Sequence, residues 1–237
     1  MLTRTRPLVE VAVDSVASAV MAAALGADRL ELCQDLELGG TTPSLGLIEA
    51  VRERVPIPVV VMVRPRAGDF VYGPDEFRVM EGDIRHALLA GAKGVVVGPL
   101  TADSGIDQEG LKRLVAAAGA VPVAFHRAFD SVIRPLKALE ILMAQGVARL
   151  LTSGGGTTAY EGRAAIGRLA KRAGSELTVI AGGGVTAEQV TALLKATGVR
   201  EIHLSGVSLV RVAGGEFGMT PVPNPGRLMR IMEVLKT

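Results

Sequence analysis

Four segments of this chain repeat one pattern, a glycine followed by a short apolar run. They are Gly26-Ala27-Asp28-Arg29-Leu30-Glu31-Leu32, Gly91-Ala92-Lys93-Gly94-Val95-Val96-Val97, Gly146-Val147-Ala148-Arg149-Leu150-Leu151-Thr152 and Gly198-Val199-Arg200-Glu201-Ile202-His203-Leu204. Each follows a stretch of helical periodicity, so each glycine suits the left-handed turn that ends a helix. The glycines stand 65, 55 and 52 residues apart, room for two strand–helix units. Strands of a second type lie between them: Pro58 to Arg64, Pro122 to Arg127 and Leu177 to Ala181. Leu8 to Val13 opens the series. Eight short apolar strands alternating with helices predict a (β/α)8 TIM barrel.

The 237 residues fit one such barrel, typically about 250 residues, and are read as a single domain over 1–237. A net charge of +2 gives no field for nucleic acid or a membrane surface, and no partner of either kind is expected. One cysteine excludes an internal disulfide and fits a reducing compartment. No apolar run precedes Pro7 and none approaches 18 residues, so a cytoplasmic protein is expected.

Helices are predicted near 15–25, 44–54, 75–90, 107–118, 131–145, 160–173, 186–196 and 225–235. The start signals are Asp14, Pro43-Ser44, Pro74-Asp75-Glu76, Asp130-Ser131 and Thr186-Ala187-Glu188. A long connection from Arg64 to Tyr72 follows the third strand and holds Asp69 and two aromatics. Gly214 to Pro225 reads as irregular, a lid or a packing segment.

A barrel directs attention to the carboxyl ends of its strands. Side chains alternate along a strand. Glu31 and Cys33 then share a face, as do Met62 and Arg64, and Ala124 and His126. Glu10 alternates with Val9 and Val11. Glu10, Glu31, Cys33, Arg64, His126, Thr152, His203 and Ser205 are expected to ring one pocket, with the acids partnered by Arg64, His126 and Arg127. His126 is read as general acid/base with Glu10 or Glu31 as counterpart. Arg64 and Arg127 are read as anion binders, and Asp130 is grouped with them. Gly182, Gly183 and Gly184 close the seventh strand before a helix, a setting that holds phosphate in many barrels. Thr152, Ser153, Asp69, His203 and Ser205 are grouped with them. No lysine ends a strand, which disfavours Schiff-base chemistry. Cys33, Met62, His126 and His203 are the donors suited to Cu(I), without a chelating cysteine pair or a zinc-type cluster. An exposed Cys33 would bind copper weakly or pair with a second chain.

Several ordered motifs carry a resemblance. They are Glu31-Leu32-Cys33 with Gly39-Gly40-Thr41-Thr42-Pro43-Ser44; Met62 to Tyr72; Phe125-His126-Arg127-Ala128-Phe129-Asp130; Leu151-Thr152-Ser153-Gly154-Gly155; Gly182-Gly183-Gly184-Val185; and Ile202-His203-Leu204-Ser205-Gly206. Over about residues 8–210 the chain resembles the copper homeostasis protein CutC family. The resemblance implies a TIM barrel, a cytoplasmic location and a homo-oligomer, most simply a dimer. It also implies a role in copper tolerance and Cu(I) binding, with Cys33 at the family's cysteine position and no organic cofactor. The charged strand-end set suits a small anionic substrate instead. Two readings stand: a copper-binding protein acting through Cys33, and an acid/base barrel enzyme of lyase, isomerase or hydrolase type. A pure interaction scaffold fits the weak field and few aromatics poorly.

Overall fold

The computed structural model describes residues 6–211 and 219–236. Eight parallel strands close into a barrel in sequence order. They are β1 (Leu8–Val13), β2 (Arg29–Leu32), β3 (Val59–Met62), β4 (Val95–Val97), β5 (Val123–Phe125), β6 (Arg149–Thr152), β7 (Thr178–Gly182) and β8 (Glu201–Ser205). The ring closes where β8 pairs with β1, Leu8 opposite Glu201 and Ala12 opposite Ser205. The helices between and after them are α1 (Val16–Ala24), α2 (Leu45–Arg54), α3 (Pro74–Leu89), α4 (Gln108–Ala118), α5 (Pro135–Ala144), α6 (Arg163–Ala173), α7 (Val190–Thr197) and α8 (Pro225–Val234).

The two faces of the strands have different work. Val9, Val11, Leu30, Leu32, Val61, Val97, Phe125 and Leu150 join helix residues such as Met80, Leu111, Leu139 and Ile166 in one buried cluster. This layer between barrel and helices is the main core. The alternate residues point into the barrel, where Cys33, Val60, Met62, Val96 and Ala124 form a separate small cluster. That cluster fills only part of the interior, which also holds charged groups such as Glu10, Arg29 and Glu31.

All four repeat glycines adopt left-handed backbone, with φ of +92° at Gly26, +93° at Gly91, +76° at Gly146 and +67° at Gly198. Each ends a helix and turns the chain into β2, β4, β6 or β8, a turn that glycine makes without strain.

Several helix starts differ from the sequence expectation. Ser15, not Asp14, caps α1, in a reciprocal pair with Ser18. Ser44 and Pro74 act as expected at α2 and α3. Asp130-Ser131 does not open α5. Arg127–Ser131 is a 3-10 turn, and the helix waits for Pro135, whose ring presets its first φ. The Asp130 carboxylate is spent elsewhere, on Thr152 and Ser153. Thr186 begins only a turn, and α7 starts at Val190. The stretch read as irregular from Gly214 lies outside the described residues to 218, and then Met219–Pro223 is a strand, β10. It pairs antiparallel with β9 (Val207–Arg211). After that hairpin α8 buries Leu228, Ile231 and Met232 in the main core. No helix of the described residues is long and apolar enough to cross a membrane.

Candidate functional site at the barrel mouth

A cavity of about 370 Å³ opens at the carboxyl ends of the strands. Of the residues singled out in the sequence, Glu31, Cys33, Arg64, His126, Arg127, Gly183, Gly184, His203 and Ser205 line it. Strand parity explains who enters. On β2, Glu31 faces inward with Cys33 following. On β8, His203 and Ser205 do the same.

The other expected members lie elsewhere. Thr152 shares the helix-facing side of β6 with Leu150, so Leu151 takes the place at the cavity wall. The Thr152 hydroxyl donates to Asp130 instead. Asp130 also accepts the Ser153 N–H at 3.0 Å, the Ser153 hydroxyl at 3.0 Å and Arg127 Nε–H at 2.9 Å. These bonds tie the loop after β6 to the turn after β5 and orient Arg127 from outside the cavity. Asp69 points into solvent, 68% exposed, and pairs with Arg66 at 2.9 Å. Gly182 belongs to β7, opposite His203. A Cβ there would stand 2.5 Å from Leu151 Cδ1 and 2.9 Å from His203 Cβ. The glycine makes room for its neighbours.

The expected phosphate site loses its helix. After Gly183 and Gly184 the chain makes a turn before α7, and after β8 it enters the β9–β10 hairpin. A cation stands there in place of a helix N-terminus: Arg227 of α8 lines the cavity and donates to the Val185 carbonyl at 3.1 Å. Sequence reasoning missed Arg227, because nothing local marks it. Phe70, one of the two aromatics in the long connection after the third strand, also reaches the cavity.

The carboxylates find other partners than those expected. Arg29, one layer below the cavity, donates through Nε to Glu10 and through Nη2 to Glu201 at 2.6 Å. His203 Nδ1–H donates to Glu10 Oε1 at 2.9 Å, and its Nε2 lies 3.5 Å from Glu31 Oε2. Glu10, Arg29, Glu31 and His203 are all buried or nearly so. Burial alone would raise the pKa of Glu10, but the His203 hydrogen bond and the Arg29 charge outweigh it and hold the carboxyl at about 2. Burial and the nearby Glu10 charge push Glu31 up to about 7, against the attraction of His203. Burial would lower His203, and the two carboxylates overcome it and raise its pKa. The result is a histidine whose charged form is favoured, set between a carboxylate that titrates near 2 and one that titrates near neutrality.

His126 does not fit the role of general base. Its Nδ1 accepts the Ala128 N–H at 3.1 Å. Burial and the Arg64 charge bring its pKa down to about 3. At neutral pH it is an uncharged donor through Nε2. Arg64 spends its guanidinium on backbone carbonyls, Leu38 at 2.9 Å, Gly40 at 3.0 Å and Gly68 at 2.9 Å, rather than on the acids.

Cys33 is 1% exposed, not a surface thiol. Burial first, and then the charges of Glu31, Glu10 and Asp14, push its pKa well up. It cannot pair with a second chain from that position. Cys33 Sγ and Met62 Cε both reach the point where a Gly40 Cβ would be, at 3.2 and 3.6 Å. These two soft donors could share a Cu(I) ion. His203 is engaged by glutamates on both sides. Among the described residues no three His, Cys, Asp or Glu side chains gather as a metal cage.

The fold and this mouth define a (β/α)8 barrel protein whose strand ends carry a buried acid–base array. The solved phosphoribosylanthranilate isomerase from Pyrococcus furiosus has the same fold, at TM-score 0.59 and 15% identity, covering 97% of this chain and 98% of that one. A closer likeness names the family. The CutC family pattern matches residues 7–208, and the chain belongs to that family. The human copper homeostasis protein cutC homolog is 49% identical over 210 residues, 89% of this chain and 77% of that one. A crystal structure assigned as the copper homeostasis protein CutC of Streptococcus agalactiae has a TM-score of 0.79 and 34% identity. It covers 84% of this chain and 98% of that one.

Proposed function

We propose that the barrel mouth is an enzyme site that moves a proton on a small anionic compound. Glu31 transfers the proton and His203 steadies the charge that develops. The observation that carries this reading is His203 between two glutamates of unlike character, Glu10 held ionised by Arg29 and Glu31 poised near neutrality. Two acids whose surroundings drive their pKa values apart are a signature of divided acid–base roles. Arg127 and Arg227 at the rim supply positive charge for an anionic group. The chemistry requires no organic cofactor. Such an enzyme bears on copper tolerance through the compound it supplies or removes. The test is solvent exchange: incubate a panel of phosphorylated and hydroxy- or keto-acid compounds in D2O with wild type and Glu31→Gln. Deuterium enters one compound with wild type and not with the folded variant. Equal exchange by both proteins overturns the reading.

A second reading rests on Cys33 and Met62, whose Sγ and Cε atoms both approach Gly40. There the protein takes Cu(I) as cargo, the thiol giving up its proton to the metal. An anaerobic Cu(I) competition titration on wild type and Cys33→Ala decides it: tight stoichiometric binding lost in the variant supports it, and binding unchanged by the substitution overturns it. Both readings place the protein in the cytoplasm, where its one thiol stays reduced. We assign it as a homodimer; Ile133, 74% exposed, and Leu136, 49% exposed, offer the partner copy an apolar surface at the start of α5.

A further inference from the structure

We propose that Arg64 and His126 form a subsite for the carboxylate of a small organic acid, closed over by Phe70. This deepens the acid–base reading, resting on it only for the statement that the cavity takes a small anion.

Two donors in this cavity lack acceptors. The first is His126 Nε2. Because Nδ1 accepts the Ala128 N–H, the neutral ring carries its hydrogen on Nε2. That atom is sealed from water and has no hydrogen-bond partner. The ring cannot turn to find one. It packs so closely on Gly98 that a Cβ there would stand 2.0 Å from His126 Cε1. The second donor is Arg64 Nε, equally sealed and equally without a partner. Arg64 is 5% exposed, and its three guanidinium bonds to carbonyls bring no negative charge to balance it.

Phe70 connects the two. Its ring centroid lies 5.0 Å from that of His126 and 4.9 Å from the Arg64 guanidinium carbon. All three residues line the cavity. A buried donor left without an acceptor is a standing cost to the fold, and such groups are rare in proteins. Two of them in residues that line one cavity, one belonging to a cation with no carboxylate bonded to it, mark the place of an oxygen anion. Two bare N–H groups would give each oxygen of a carboxylate one donor. A third unpartnered polar atom, the Tyr72 hydroxyl, lies beside Arg64, but Tyr72 is not among the residues that line the cavity. The occupant reaches the pair when Phe70 swings aside, and the ring then covers its apolar side.

The test follows the two N–H groups directly. In 15N-labelled protein the Arg64 Nε–H and His126 Nε2–H resonances are recorded during titration with acetate, glycolate and, separately, inorganic phosphate. Both resonances move saturably with a carboxylate and not with phosphate. His126→Phe keeps the ring's bulk without its donor and weakens carboxylate binding at least tenfold. His126→Asn, which retains a donor, weakens it less. Immobile resonances throughout, a response to phosphate alone, or an unchanged Kd in a folded His126→Phe overturns the subsite. Carboxylate binding without any solvent exchange leaves the subsite standing and removes the acid–base reading. Exchange dependent on Glu31 with unchanged binding in His126→Phe does the reverse.

Discussion

Glu10 and His203 face each other across the seam where the first and last strands meet, Glu10 Oε1 2.9 Å from His203 Nδ1 and 193 residues apart in the chain. Closing the barrel and assembling its acid–base array are therefore one event. The array exists only when β8 has docked on β1.

Arg29 sits between Glu10 and Glu201 at this seam. Arg29→Met leaves two buried carboxylates without their cation and is expected to cost about 3–5 kcal/mol, read by urea unfolding. The folded pKa of Glu10, about 2, lies below its ordinary 4.5. Its contribution is present above pH 4.5 and lost as pH falls through 2. The loss of stability over that acid window is smaller in Glu10→Gln.

Glu31 has the opposite sign. Its folded pKa, about 7, lies above the ordinary 4.5. The folded state holds this proton more tightly, so stability falls as pH rises from 4.5 through 7. Glu31→Gln removes that penalty. Its Tm exceeds that of wild type at pH 8, and the two converge near pH 4.5. A lower Tm for the variant at pH 8 contradicts this ordering.

Asp130 is expected to matter for position rather than chemistry. Asp130→Ala removes acceptors used by Thr152, Ser153 and Arg127. The expected cost is about 2–4 kcal/mol, from several bonds at roughly 1 kcal/mol each. Hydrogen exchange quickens at the amides of Ser153 to Gly155, while those of β1 and β2 hold their protection.

Gly98→Ala places a methyl against the His126 ring. Overpacking of this kind costs about 1–3 kcal/mol. The ring shifts and its Nδ1 bond to Ala128 lengthens, visible as a change in the His126 imidazole resonances. His86, exposed on α3, keeps its wild-type signals.

Cys33, buried and with its pKa raised, reacts slowly in the native protein. A disulfide reagent at pH 8 is expected to label it at least a hundredfold more slowly than in urea. Equal rates would mean that the thiol is accessible.

The barrel was legible because every second unit repeats one local rule: a left-handed glycine after a helix, then a short apolar strand. The site was legible where parity along a strand suffices, as for Glu31, Cys33 and His203. It failed at Thr152, where the strand-end position was read without its parity. Arg29 and Glu201 escaped notice because they enter at the starts of strands, away from the functional end. Phe70 and Arg227 reach the cavity from a loop and from the last helix, and only the closed ring brings them there. The role of His126 turned on one backbone N–H, that of Ala128, which no pattern of residue types reveals.

The match to the CutC family pattern stops at residue 208, yet Arg227 on α8 walls the cavity. One wall residue of this cavity is thus encoded outside the stretch that the family pattern covers. Exchanging the hairpin and final helix between relatives would change that wall while Glu10, Glu31 and His203 keep their places on the strands.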